Sequence, residues 1–403
     1  MEIRILFKAF KTEIYPTEKQ KQKIIQSIGI ARFLYNQYIA YNFKLYEMYQ
    51  RGMLDSKQKK FISAYDFNKY VNHKLRKKFP WISECGSKAR KKAIFNAESA
   101  FKRFFSGKSK FPRFKKKSRQ DVKIYFPKNN QGDWKIFRHK IMIPTLKYVR
   151  LKEYGYLPVG LNVIRGTVSY VAGRFYVSVI VDIDEKFRHN KDLEISYKQY
   201  SYGIGIDLGI KDLAIISNGK IFKNINKSLR VRRLEKRLRR EQRRFSKKLY
   251  YRKKNGGNVT ISANIEKQRL KVQKLHHRIL NIRVDYENKV IHEIVEQKPR
   301  FITIENLNVR GMMKNRCLSK VISAQRFFLF REKLRRKTEI IGIELRIADR
   351  FYPSSKICNS CGHIKKDLRL KDRIYLCTEC GYVEDRDLNA ALNLRDTKEY
   401  LIA

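Results

Sequence analysis

Four cysteines constrain the C-terminal part of this chain more tightly than any other feature. Cys358 and Cys361 form one C-x2-C pair, Cys377 and Cys380 a second, with fifteen residues between the pairs. That spacing lies in the range of a four-thiolate zinc site. Two-residue gaps let each pair wrap one ion through a tight turn. Gly362 and Gly381 follow the pairs, where such a turn needs a flexible backbone. Disulfides do not persist inside a cell, and a single redox dithiol would not explain two pairs. Four thiols complete a closed shell, so His363 reads as a neighbour of the ion rather than a ligand. One structural Zn2+ is expected, held by Cys358, Cys361, Cys377 and Cys380. Cys85 and Cys317 lack such partners and read as structural.

Behind the second pair comes Asp385-Arg-Asp-Leu-Asn-Ala-Ala-Leu-Asn393, which reads as a short helix from about Arg386. Asp387 falls in its first turn, where the helix dipole favours a negative charge. Asp385 is a rival whose ordinary role is the N-cap. Ala390 and Ala391 permit close packing on a sheet. Two further acids end apolar strands. In Gly203-Ile-Gly-Ile-Asp207-Leu-Gly209, alternation puts Ile204, Ile206 and Leu208 on one face and Asp207 with the glycines on the other. An acid there is costly unless paired or metal-bound, and the glycines are expected to clear space for a metal and a phosphate backbone. Glu305 ends Phe301-Ile-Thr-Ile-Glu305 on the face opposite Ile302 and Ile304. Each acid alone reads equally well as a solvated charge. Together they form a set suited to magnesium, because carboxylates are its ligands in phosphoryl-transfer sites. Two Mg2+ ions about 3.5–4 Å apart would activate water and stabilise a leaving oxygen.

Charge narrows the partner. With 92 Lys+Arg against 38 Asp+Glu, the formal net charge is +54. Such a surplus points to a polyanion, either nucleic acid or an acidic membrane surface. No window approaches the roughly 18–20 apolar residues of a spanning helix, and the N-terminus is charged too often for a signal peptide. A soluble, cytoplasmic protein with no membrane role is the expectation. Between Lys227 and Lys254 there are fifteen Lys/Arg and only two acids. Leu234, Leu238, Phe245 and Leu249 keep a helical stripe there, leaving Arg232, Arg233, Arg237, Arg240 and Arg244 for phosphates. Aromatic rings interleave with cations in Phe101-Lys-Arg-Phe-Phe105 and Phe111-Pro-Arg-Phe114-Lys-Lys-Lys117, which adds Lys115 and Lys116. Rings and cations together suit nucleic acid, although most single rings are expected to be core.

A chain of 403 residues suggests about two to three domains. The first fifteen residues read as a strand, with Ile3, Ile5, Phe7 and Ala9 alternating against polar neighbours. Thr17-Glu-Lys-Gln20 is a capping box opening a helix. Further helices are expected from about Asp66 to before Pro80 and from near Ser87 to Gly107. From about 120 to 195 the period becomes two, as in a small β-barrel or sandwich. The N-terminal strand fits that sheet, which would make the helical unit an insertion. Beyond Tyr202 come a strand to Leu208, a second over Leu213–Ser217 and a turn at Asn218-Gly219. A long helix ends before Pro299, and another runs from about Ser323 to Gly342.

Gly205-Ile-Asp-Leu-Gly209, Ile304-Glu-Asn-Leu307 and Asp385-Arg-Asp-Leu-Asn-Ala-Ala391 resemble the three split motifs of a RuvC nuclease. Their order, the cysteines between the second and third, and Tyr352-Pro-Ser-Ser-Lys356 resemble the TnpB family. These are transposon-encoded RNA-guided DNA endonucleases related to type V CRISPR effectors. The Thr17-Glu-Lys-Gln20, Ala97-Glu-Ser-Ala-Phe-Lys-Arg-Phe104 and Phe111-Pro-Arg-Phe114 stretches extend the resemblance over nearly the whole chain. It implies a multidomain α+β protein. A β-barrel wedge domain would span 1–15 and 108–198, and a helical recognition lobe 16–107. An RNase H-like RuvC domain would span 199–349 and 385–403, with a zinc ribbon inserted at 350–384. It implies Asp207, Glu305 and Asp387 as the catalytic, magnesium-binding triad, and favours Asp387 over Asp385. It also implies a guide RNA transcribed from the transposon end, a double-stranded DNA target beside a short flanking motif, and a prokaryotic, nucleoid-associated setting. A nuclease-inactive RNA-guided regulator and a strand-transfer transposase are the alternatives; the intact triad argues against the first.

Overall fold

The computed structural model describes residues 6–53, 61–117, 122–128, 130, 132–183, 202–254, 262–369 and 372–403. The expected apolar positions Ile3 and Ile5 lie outside them. The chain divides into two compact units, Met1–Asn190 and Lys191–Ala403.

The first unit is built on a seven-stranded antiparallel sheet. Its strands are β1 (Leu6–Tyr15), β2 (Val122–Pro127), β3 (Lys135–Ile136), β4 (Lys140–Ile143), β5 (Lys147–Leu151), β6 (Val163–Val171) and β7 (Arg174–Ile183), in the order β2-β6-β7-β1-β5-β4-β3. Between β1 and β2 the chain makes the helices α1 (Glu18–Gln50), α2 (Ala64–Tyr70) and α3 (Ser87–Phe105). Since β1 pairs with β5 and β7, the helices are an excursion from one sheet. One apolar cluster joins both parts, with Ile24, Leu34, Tyr38, Ile94 and Phe101 from the helices and Ile141, Val149, Val177 and Val179 from the sheet. Helix α1 opens on the expected box: Gln20 N donates to Thr17 Oγ1 and Thr17 N to Gln20 Oε1. Gln20 Nε2 also donates to Leu146 O and Tyr148 O, both at 2.9 Å, which ties the helix start to β5 and the turn before it.

Two expectations change here. Strand β1 has the opposite parity: Phe7 is 60% exposed, whereas Ile14 and Thr12 are buried and Phe10 packs against the core. Both alternating sets carry apolar residues, and the pairing with β7 through Ile14↔Phe175 decides which set faces inward. The expected second helix is interrupted by a π turn at Val71–Leu75. Strand β3 is only two residues long, too short for a period of two to mark it by itself within the β-rich region.

The second unit has a mixed six-stranded sheet in the order β10-β9-β8-β11-β12-β15. Its members are β8 (Ile204–Asp207), β9 (Asp212–Ile216), β10 (Ile221–Lys223), β11 (Phe301–Ile304), β12 (Glu344–Ala348) and β15 (Tyr400–Ile402). Strands β8, β11 and β12 run parallel, and the pairs β9–β8 and β15–β12 are antiparallel. Strands β8 and β11, in the middle of the sheet, are buried along nearly their whole length. Helices α4 (Leu229–Lys254) and α5 (Ala263–Glu296) pack through Val231 and Leu234 against Leu275 and Ile279. The stripe on α4 does not persist, because Leu249 is exposed. The single helix expected over Ser323–Gly342 is two, Ser319–Gln325 and α6 (Phe327–Ile341). They break at Arg326, whose backbone is left-handed at φ 58°. Its side chain lies 3.4 Å from the buried carboxylate of Glu287. A two-stranded ribbon, β13 (Ile374–Leu376) with β14 (Val383–Asp385), leads directly into α7 (Arg386–Asp396).

Candidate active site

Helix α7 lies on the glycine face of β8. A Cβ added at Gly205 would stand 1.9 Å from Ala391 O and 2.4 Å from Arg395 N, so only glycine lets the helix backbone come this close. At Gly203 the same atom would meet the Phe301 ring at 2.1 Å. The glycines around Asp207 therefore make room for α7 and Phe301. The space expected for a metal and a phosphate backbone is not what they clear. The close approach has a consequence for charge: it brings the first turn of α7 to the end of β8.

Asp207 ends β8, Glu305 follows β11 directly, and Asp387 is the second residue of α7. Burial pushes the Asp207 carboxyl well above the usual carboxylate range, and the neighbouring Glu305 and Asp387 push it further; the Arg386 cation works against them. Burial also raises Glu305, opposed by a hydrogen bond from Ser354, while Asp387 adds to the rise. Ser354 Oγ donates to Glu305 Oε1 at 2.8 Å. Asp387 Oδ1 accepts from Arg386 Nη2 at 2.8 Å, and its Oδ2 lies 3.5 Å from Arg373. Asp385 plays the ordinary role: its Oδ1 accepts from the backbone N–H of Asp387 and Leu388, which makes it the N-cap of α7.

The thiols form a second, closed site. Among the described residues, Cys358, Cys361, Cys377 and Cys380 are the one group of metal-ligating side chains whose ligand atoms all lie within 4.8 Å of one another. The three carboxylates do not form such a group. Cys358 Sγ lies 3.6 Å from Cys380 Sγ, and Cys361 Sγ 3.6 Å from Cys377 Sγ. A tetrahedron with bonds of about 2.3 Å has edges of about 3.8 Å, so the donors fit zinc. A disulfide would need about 2.05 Å. Gly362 and Gly381 adopt φ 78° and 70°, the left-handed backbone that returns each knuckle on itself. Backbone N–H groups of Cys380 and Glu379 draw the Cys377 thiol down to about 6, towards the thiolate a metal takes. Burial raises Cys358, and at Cys361 a lowering hydrogen bond from the His363 backbone is outweighed by the neighbouring thiols. His363 Nδ1 lies 3.9 Å from Glu379, beside the thiols and outside their group.

Beside Glu305 opens a cavity of about 410 Å³, lined by Leu208, Asn306, Arg310, Arg331 and Arg350 among others. Arg331 Nη1 donates to Asn306 Oδ1 at 3.3 Å. Sequence reasoning missed these arginines, because they come from three segments with no common spacing. On α4, Arg232, Arg233, Arg237, Arg240 and Arg244 are all exposed, opposite the buried Val231 and Leu234. In the first unit, Lys116 is exposed, whereas Lys115 is half-buried with its Nζ 3.9 Å from the centre of the Tyr35 ring. Phe101 is core, Phe114 is 53% exposed, and Phe114 lines a cavity of about 740 Å³ with Arg113, Lys115 and Lys116. No helix among the described residues is long and apolar enough to cross a membrane.

Three family models match the chain. They are described as "Probable transposase" over residues 196–316, "Cas12f1-like, TNB domain" over 327–394 and "Helix-turn-helix domain" over 6–51. The third description differs from the geometry, because residues 6–51 hold strand β1 and one continuous 33-residue helix. A Streptomyces pristinaespiralis protein named "Putative RNA-guided DNA endonuclease" is 30% identical over 96% of this chain and 88% of its own length. An Escherichia coli (strain K12) protein of the same name, with the suffix InsQ, is 27% identical over 96% of this chain and 91% of its own. A solved Cas12f1-sgRNA-target DNA complex contains a chain of the same fold, with TM-score 0.55 and 14% identity over 99% of this chain and 100% of that one.

Proposed function

Since this chain belongs to the TnpB family of RNA-guided DNA endonucleases, we propose that it cleaves double-stranded DNA matched to a bound guide RNA, beside a short flanking motif, with Asp207, Glu305 and Asp387 as its catalytic residues. The observation that carries this reading is the meeting of three carboxylates from β8, β11 and α7, close enough that Glu305 and Asp387 both perturb Asp207. Like charges in a desolvated place are costly without a cation, and the donors are all oxygens, the set that suits Mg2+. Asp207, Glu305 and Asp387 would hold the metal. When bound, magnesium supplies activation of water and charge compensation at the leaving oxygen.

The chain's own residues do the rest. Asp207 and Glu305 fix the acceptor oxygens on the rigid sheet. Asp385 caps α7 and so holds Asp387 in its first turn. Arg310, Arg331 and Arg350 beside Glu305 offer phosphate donors in the adjoining cavity. The four thiols hold zinc and order the chain that enters α7. The exposed arginine face of α4 takes the backbone of guide or heteroduplex, with Lys116 and Phe114 of the first unit as further contacts. On this reading residues 16–107 are a recognition lobe, 1–15 with 108–198 a wedge domain, 199–349 with 385–403 a RuvC domain of RNase H-like fold, and 350–384 a zinc ribbon. We place its site of action in the cytoplasm, in keeping with the bacterial relatives it resembles.

Sequencing the RNA that co-purifies with the protein, then assaying cleavage of matched duplex with and without it, tests the proposal. A defined RNA and RNA-dependent, magnesium-dependent cutting are expected. Cutting that ignores the RNA would leave the strand-transfer reading in its place.

A further inference from the structure

We infer that Ser354 is a positioning residue for Glu305, held by Asn393, and that this pair carries the order of the zinc ribbon into the carboxylate site. The inference rests on the function proposed above. Ser354 is only 4% exposed, and its hydroxyl donates to Glu305 Oε1 at 2.8 Å from a position 49 residues further along the chain. In the segment that carries it, the carbonyls of Ser354 and Ile357 are met by side chains of α7. Asn393 Nδ2 donates to Ser354 O at 2.7 Å and to Ile357 O at 2.6 Å. Asn389 Nδ2 donates to the same Ile357 O at 2.7 Å.

The acceptor ends of both amides are used as well. Asn389 Oδ1 accepts from Asn359 N, and Asn393 Oδ1 from Asn359 Nδ2, each at 3.1 Å. Asn359 lies inside the first C-x2-C knuckle, next to Cys358. Asn389 and Asn393 are four residues apart, so they share one face of α7. They are 0% and 3% exposed. Buried amides bonded through both their oxygen and their nitrogen fix a geometry, since any slide of the helix strands them. One helix face thus locks the first knuckle and the Ser354 segment, while its first turn carries Asp387. Glu305 and Asp387 come from different segments and are referred to the same clamp. Partners that orient metal ligands are worth about ten- to a hundredfold in metal affinity or activity.

The experiment uses full-length protein loaded with its RNA and follows cleavage against Mg2+ concentration. Ser354→Ala is expected to raise the half-maximal Mg2+ concentration by about ten- to a hundredfold, with zinc content and RNA retention unchanged. Ser354→Thr, which restores the hydroxyl, should return it towards wild type. Asn393→Ala should shift it in the same direction while zinc stays bound. An unchanged Mg2+ dependence in Ser354→Ala overturns the inference. So does an equal loss of rate at every Mg2+ concentration that threonine does not recover, since that marks a merely structural role. If wild type shows no metal-dependent cleavage, the proposed function itself fails. Calorimetric Mn2+ binding then decides the inference by itself: weaker binding in Ser354→Ala upholds it, equal binding overturns it.

Discussion

The thiol site and the carboxylate site are neighbours along the chain and opposites in construction. The four thiols span 23 residues, from Cys358 to Cys380, and close on one another within 4.8 Å. Local turns build them, and their titration is split: backbone N–H groups lower Cys377, whereas burial raises Cys358. The three carboxylates span residues 207 to 387 and depend on a sheet and a helix to meet. Their surroundings disfavour charge: burial and mutual repulsion raise Asp207 and Glu305. A site closed by local turns orders its own segment and is a folding device. One that stores repulsion until a cation arrives is a chemical device. The two should therefore fail differently when broken.

The largest effect is expected at the thiols. Cys358→Ser should abolish zinc binding, lower the melting temperature and remove cleavage together, because structural zinc in zinc-finger peptides is worth about 10–16 kcal/mol of folding free energy. Metal analysis and a melting curve on the same sample check this. Unchanged stability without zinc would erase the distinction between the sites. Next comes Gly205→Ala. Its methyl would strike Ala391 O and Arg395 N, which are backbone atoms and cannot swing aside. A loss of about 1–3 kcal/mol is expected from overpacking, with cleavage falling as α7 is pushed off β8. Denaturant midpoints measure it, and a neutral result would mean that α7 is not seated as described.

A smaller effect is electrostatic. Asp207 and Glu305 have folded-state pKa values above their ordinary 3.8 and 4.5. In metal-free protein the folded state then holds more protons than the unfolded state above those values. The stability they contribute is complete at lower pH and is lost as pH rises through the raised folded values. Metal-free melting temperature should fall over that window, Asp207→Asn should flatten the fall, and Mg2+ at neutral pH should oppose it. A flat profile in wild type would show that the carboxylates are not strained by one another. The smallest effect is at the arginine face. Replacing Arg237 or Arg240 by Ala should reduce the salt slope of RNA binding by about one per residue, with no change at either metal site. Filter binding across a salt series would show it, and an unchanged slope would move the RNA off α4.

How much of this was legible in the sequence follows from the same contrast. The thiols were readable because their spacing is their geometry. Asp207, Glu305 and Asp387 were readable as acids at the ends of apolar elements, and α7 begins at Arg386 as expected. The purpose of Gly205 was not readable, because the atoms it makes room for, Ala391 O and Arg395 N, are nearly two hundred positions away. Nor was the parity of β1, where Phe7 and Ala9 compete with Phe10 and Ile14 and only pairing with β7 decides. The break at Arg326 has neither glycine nor proline to announce it. Ser354 and Asn389 stand in motifs that resemble the family's, with Asn393 just beyond the second, yet their partners are long-range carbonyls and a carboxylate that no local pattern encodes.

On the function proposed, chemistry lies with the carboxylates and folding with the thiols. Asp387 tests this division most directly, since it sits on the helix that also clamps the ribbon. Magnesium-dependent cleavage of guide-matched duplex by wild type and Asp387→Ala should be measured beside zinc content and melting temperature in the same preparations. Wild type should cut, and Asp387→Ala should lose about 10²–10³-fold or more, as expected when charge stabilisation in the transition state is removed, with zinc and melting temperature unchanged. Cleavage that survives in Asp387→Ala, or is lost together with zinc and stability, would contradict the account.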